Sequence, residues 1–171
     1  MNIRWVFLLT PLLLNSALAA QTCRSGIRET APSSRFQVDA SHGTVMDLDT
    51  GLVWKRCAEG LSGPNCELGT PEYLTWGGAL QAAADSQYAG YFDWRLPNAK
   101  EMQSLLEQSC VDPAINLEIF PNAPLAQFWT SSPAPLSHNV WYVYSGQGEL
   151  AMHNMDDRFF QLAVWLVRGG P

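Results

Sequence analysis

The stretch Asp93-Trp94-Arg95-Leu96-Pro97-Asn98, running into Ala99 to Glu107, constrains this chain more than any other. Its first half reads as a short buried strand that must stop at Pro97, because proline has no amide proton to give a ladder. Asn98 is a strong helix N-cap. Glu101, three residues on, can return a bond to the Asn98 amide, which is the pattern of a capping box. Met102, Leu105 and Leu106 then recur at helical spacing and give the helix one apolar face. Strand, tight turn and amphipathic helix therefore follow one another with almost no connecting chain.

The start of the chain reads as an export leader, residues 1–20. Arg4 supplies a short positive region, Trp5 to Leu14 an apolar run broken by Thr10 and Pro11, and Ala17-Leu18-Ala19 the small residues before cleavage. The run is too short to span a bilayer. Gln21 and Thr22 precede Cys23 where lipoprotein processing needs a small residue, so a soluble protein is expected in the periplasm or at the cell surface. Loss of Arg4 leaves nine Lys and Arg against sixteen Asp and Glu, a net charge of about −7. That balance, without basic clusters, argues against nucleic acid and anionic lipid as partners.

Four cysteines remain, Cys23, Cys57, Cys66 and Cys110. An even number in an exported chain favours two disulfides, with three pairings possible. Cys57–Cys66 with Cys23–Cys110 is preferred: one staples a Gly- and Pro-containing loop, the other ties the N-terminal segment to the end of the central helix. A zinc site is the alternative, but no Cys-x-x-Cys and no nearby histidine supports it.

Residues 21–42 are polar and read as an extended arm; one domain is expected over 43–171. Gly43 to Asp47 and Leu52 to Arg56 form a hairpin around Leu48-Asp49-Thr50-Gly51. Asp47-x-Asp49-x-Gly51 looks like part of a calcium loop but lacks the downstream acid, so a turn is expected. Thr75 can cap a helix lined by Trp76, Leu80, Ala83 and Ala84, weakened by Gly77 and Gly78 unless a neighbouring backbone packs there. Later come strand candidates at Phe128–Ser132, Val140–Tyr144 and Glu149–Met155, and a long β run from Phe159 to Arg168. Two helices followed by a mainly antiparallel sheet with long loops indicate an α+β domain.

Thr44-Val45-Met46-Asp47-Leu48-Asp49-Thr50-Gly51-Leu52-Val53-Trp54-Lys55-Arg56-Cys57, Trp76 with Ala79-Leu80, and Asp93 to Asn98 with Lys100-Glu101 form an ordered set. Pro113-Ala114-Ile115-Asn116, Phe120-Pro121-Asn122, Phe128 to Pro133, Val140-Trp141 and Leu166 to Gly170 complete it. The set resembles a bacterial domain family typified by the C-terminal domain of a collagen-like adhesin. The resemblance implies a variant of the C-type lectin-like fold, related to the formylglycine-generating enzyme and to hypervariable display proteins. It also implies an adhesion or recognition module, with a trimer as one possible state. Phe120-Pro121-Asn122 and His138-Asn139-Val140-Trp141 lack the acids of calcium-dependent lectins, and the acidic charge opposes sulfated glycosaminoglycans. No cysteine after Cys110 could serve a formylglycine-generating reaction.

The candidate recognition residues lie late. If Trp141 and Val143 point inward, alternation sends Tyr142 and Tyr144 outward. Polar His138, Asn139, His153, Asn154, Asp156, Asp157 and Arg158 flank them, a mixture suited to glycans or proteins. An ordinary solvated hairpin is the plainer reading of the same residues. Ser131 or Ser132 with His138 and Asp156 could be drawn as a triad, without a Gly-x-Ser-x-Gly elbow to support it. Trp54, Trp76, Trp94 and Trp165 are expected in the core, and Asp93 and Arg95 in a structural ion pair or in backbone bonds rather than in a site. The expected protein is a non-catalytic recognition module without metal or cofactor. An assembly component of an envelope complex is the second reading and a hydrolase the third.

Overall fold

The computed structural model describes residues 21–169; the expected leader over residues 1–20 lies outside them. In chain order the strands are β1 (Thr22–Cys23), β2 (Phe36–Asp39), β3 (Thr44–Asp47), β4 (Val53–Lys55), β5 (Leu61–Ser62), β6 (Leu68–Gly69) and β7 (Tyr73–Leu74). Helices α1 (Trp76–Asp85) and α2 (Ala99–Ser104) follow, then β8 (Cys110–Val111), β9 (Gln127–Pro133), β10 (Asn139–Tyr144), β11 (Glu149–Asn154), β12 (Leu162–Ala163) and β13 (Val167–Arg168). Two sheets dominate, one ordered β13-β4-β3-β2 and one ordered β11-β10-β9-β12-β7. Pairing is antiparallel except between β12 and β9. With two helices and two disulfides this is an α+β domain.

The expected hairpin is β3–β4, with Val45 opposite Trp54. Its turn is held by the Asp47 carboxylate, which accepts from the Asp49 amide at 3.1 Å and the Thr50 hydroxyl at 2.7 Å. Arg35 adds two more bonds, with Nε 2.7 Å from Asp47 Oδ1. The expected turn is what the Asp47 carboxylate builds.

The expected arm over residues 21–42 is part of the fold. β2 adds to β3 with Phe36 opposite Asp47 and Val38 opposite Val45. Phe36 is buried edge-on against Phe120 at 5.5 Å. Upstream, the amides of Thr30 and Ala31 donate to the buried Glu107 carboxylate. The segment's polar composition hides this, because few of its side chains face inward. Cys23–Cys110 closes it onto β8, and Cys57–Cys66 staples the loop carrying β5 and β6.

The expected long strand from Phe159 to Arg168 is divided. β12 pairs with β7 and β9 in one sheet, and β13 pairs with β4 in the other. Between them Val164, Trp165 and Leu166 cross the core, all fully buried, and Trp165 Nε1–H donates to the Lys55 carbonyl at 2.7 Å. An unbroken apolar run has no alternation to tie it to one sheet, so burial on both sides lets it leave the first and join the second.

Both caps form. Thr75 Oγ1 accepts from the Gly78 amide at 3.2 Å. Asn98 and Glu101 exchange bonds of 2.9 and 2.7 Å, completing the capping box. On α1 the buried positions are Ala79 and Ala83, while Trp76 and Leu80 are half-buried and Ala84 is exposed. No backbone crowds Gly77 or Gly78; the close atom at Gly78 is its own Thr75 cap. α2 stops at Ser104, and Leu105 and Leu106 are buried just beyond it. Asp93 to Leu96 makes only one bridge, Arg95 to Val167. Asp93 and Arg95 do not pair with each other: Arg95 holds Glu101 at 2.7 Å and makes backbone bonds to the Leu96 and Gly169 carbonyls, while Asp93 accepts from Arg168 at 2.7 Å. Trp54, Trp94, Trp129 and Trp165 are buried in the core, whereas Trp76 is half-buried.

Candidate functional site

The late hairpin pairs Val140 with His153, Tyr142 with Ala151 and Tyr144 with Glu149. On the other side, Trp129 lies opposite Tyr142 and Gln127 opposite Tyr144. Directly paired residues share a face. Tyr142 and Tyr144 therefore share one, as alternation predicts, and Val143 is buried on the other. The tyrosines are not free projections, however. Tyr142 is half-buried, with ring centroids 6.3 Å from Trp129 and 6.1 Å from Phe160. Trp141, expected inward, is only half-buried, opposite Met152.

Tyr144 crosses the turn that follows it. A Cβ added at Gly146 would come within 2.4 Å of its ring, so glycine is what allows the ring to lie there. Gln127, Tyr142, Tyr144, Glu149 and Ala151 surround a hollow of about 200 Å³. This is one patch.

The second patch is at the other end of β10 and β11, roughly 16 Å away at the ~3.3 Å rise per strand residue. Here the loop before β10 meets the loop after β11. The Met155 amide donates to the His138 carbonyl at 2.8 Å, and His138 Nδ1 lies 2.8 Å from Asp156 Oδ2. Asn154 Oδ1 accepts from the Asp156 amide at 2.8 Å, and Asn139 Nδ2 donates to the Ser137 carbonyl at 3.0 Å. His153 Nε2 lies 3.0 Å from Asp157 Oδ2, while Asp157 Oδ1 accepts from the amides of Phe159 and Phe160. The hydrogen bond from His153, followed by that of the Phe159 amide, holds the Asp157 carboxyl below its ordinary value. His153 also stacks on Phe160, with centroids 3.5 Å apart.

The consequence is a braced loop that presents Phe159 at 96% exposure beside exposed Arg158. Phe159 was not among the residues expected to bind. The signal for it was present, since in the β run expected from Phe159 onward neighbouring side chains alternate, and two adjacent phenylalanines could not both face one core. Phe160 takes the inward place against Trp129, at 5.8 Å, and Phe159 is left outside. Leu136, on the opposing loop, is 61% exposed.

The residues expected to form one site are thus divided between a tyrosine hollow and a histidine–aspartate loop patch. Elsewhere, Ser132 Oγ accepts from the Ala99 amide at 3.0 Å, at the start of α2, while His138 Nδ1 faces Asp156. Phe120 is core, and Asn122 donates to the Asn65 carbonyl at 2.8 Å. Among the described residues no group of three or more His, Cys, Asp or Glu is placed to hold a metal ion. None of their helices is long and apolar enough to cross a membrane.

The family model described as the Lcl C-terminal domain matches residues 43–168. No curated protein matches the chain.

Proposed function

The chain belongs to the Lcl C-terminal domain family, and on that premise we propose that it is an exported, non-catalytic recognition module. It binds an extracellular or envelope ligand, glycan or protein, through the late loops of a C-type lectin-like arrangement. The observation that carries this is Phe159, 96% exposed on a loop braced by Asp157 and His153. Its side chain stands in solvent, but the backbone that carries it is already fixed by the Asp157 bonds, so a partner covering the ring has little loop left to order. Two disulfides are compatible with a life outside the cytoplasm.

The test is binding of periplasmically produced protein to a panel of glycans and of envelope and matrix proteins, with calcium and with chelator. A chelator-insensitive partner lost on Phe159→Ala supports the reading. A partner lost only on chelation, or one indifferent to Phe159 and to Tyr144, overturns it.

A structural or assembly role in an envelope complex is the second reading. Leu136 and Phe159, both exposed on adjoining loops, favour it over glycan binding, because apolar side chains suit a protein pocket. It predicts hits among envelope proteins alone.

A further inference from the structure

The four-stranded sheet has an outward face that the late loops do not use. Gln37, Met46, Val53 and Arg168 form one cross-strand row on it, while Val45, Trp54 and Val167 face the core. Beside the row the segment bearing Tyr91 rises to enclose a trough of about 390 Å³. Its lining is mostly polar, with Gln37, Asp39 and Thr44, but Met46, 44% exposed, and half-buried Val53 run through it as an apolar strip.

At one end stands Arg168, fixed in two ways. Its Nε donates to Asp93 Oδ1 at 2.7 Å, and its guanidinium carbon lies 3.7 Å over the centre of the Tyr91 ring. One edge and one face of the guanidinium are thereby engaged. The Nη groups have no hydrogen-bond partner among the described residues. A pair built only to tie β13 to the segment before α2 would be expected to use the guanidinium fork in bidentate fashion; here the fork is left over. Asp39, the acid on the rim, has both oxygens turned to its own turn, toward Ser41 and His42.

We propose that this trough binds an organic carboxylate, the two Nη groups of Arg168 taking the carboxylate and the Met46–Val53 strip its aliphatic body. A planar guanidinium held by stacking and by a second acid matches a carboxylate in bidentate fashion with little further ordering. Strands ~4.8 Å apart put Met46 roughly 10 Å from the Arg168 strand, a span suited to a chain of about six carbons. A free small acid and the C-terminus of an apolar peptide share this chemistry.

The experiment is an NMR titration of the Met46 methyl and the Arg168 side-chain NH signals with sodium hexanoate, hexanol and sodium phosphate. Hexanoate is expected to give saturable shifts at both, and hexanol and phosphate to bind at least tenfold more weakly. Arg168→Lys, which keeps the charge without the fork, should weaken hexanoate about tenfold. Met46→Glu, at an exposed position that leaves folding intact, should abolish it. Acetyl-leucyl-leucine and its amide separate the sources. A free-acid peptide tighter than hexanoate, with an inert amide, supports the proposal and identifies a chain terminus. Hexanoate tighter than the peptide supports it and identifies a small acid. Hexanol or the amide binding as well as the acids overturns it, as does absence of saturable shifts or indifference to both variants. Binding by Phe159 is untouched by either result, since that residue lies on the loop after β11.

Discussion

Single residues separate what holds the domain from what it presents. Glu107 is 4% exposed and accepts from the amides of Thr30, Ala31 and Ser109. Burial alone would raise its carboxyl, but the bonds from Ser109 and from the Ala31 and Thr30 amides outweigh burial and leave it lowered. Asp47 is likewise lowered: burial opposes ionisation, and the Arg35 and Thr50 bonds overcome it. A carboxyl lowered in the folded state adds stability above its unfolded value, near 4, and that stability disappears as pH falls through the folded value. Urea midpoints should therefore be flat in this respect between about pH 5 and 7 and fall below about 4. Glu107→Ala should lose roughly 3 kcal/mol at neutral pH, since buried amides lose a charged acceptor, and should show a shallower acid limb. Phe159→Ala is expected to change stability by less than about 0.5 kcal/mol, because almost none of the side chain is buried.

At the scale of elements, locality decided what could be read from the chain. The caps at Thr75 and Asn98 are contacts within three residues, and they form as their sequence patterns predict. β2 was hidden because its support comes from afar: Phe120 packs on Phe36, and Glu107 holds the segment before it. The split of residues 159–168 was hidden for a related reason, since only the positions of β4 and β9 decide where the run changes sheet. The two disulfides carry a prediction at this scale. Their partners are 9 and 87 residues apart. On the chain-entropy account the short loop contributes roughly 2–3 kcal/mol and the long one about 4–5. Replacing Cys23 and Cys110 together by serine should thus lower the urea midpoint more than replacing Cys57 and Cys66. The reverse order would mean that the loop carrying β5 and β6 governs the core beneath it.

Across the whole molecule, the late sheet presents two patches at opposite ends of one hairpin. The tyrosines and the polar residues were legible in the sequence; Phe159 was missed, and so was the separation of the patches, because His138 and Tyr144 are near in sequence yet a full strand apart in space. For the proposed recognition role, that separation makes the size of a ligand measurable. Tyr142→Ala is a poor probe, since its ring packs against Trp129 and Phe160 and its loss should loosen the cluster that braces the Phe159 loop. Tyr144→Ala and Phe159→Ala, on separate patches, are better. Sites more than ~10 Å apart without shared partners change free energy additively within about 0.5 kcal/mol. If one extended ligand covers both patches, each variant should weaken binding and the double variant should lose the sum. A compact ligand, such as a single sugar, would respond to one variant and ignore the other. Equilibrium titration of the four proteins distinguishes these outcomes. A strongly non-additive double loss would mean instead that the hairpin transmits a change from one end to the other, which its continuous six-residue pairing gives no reason to expect.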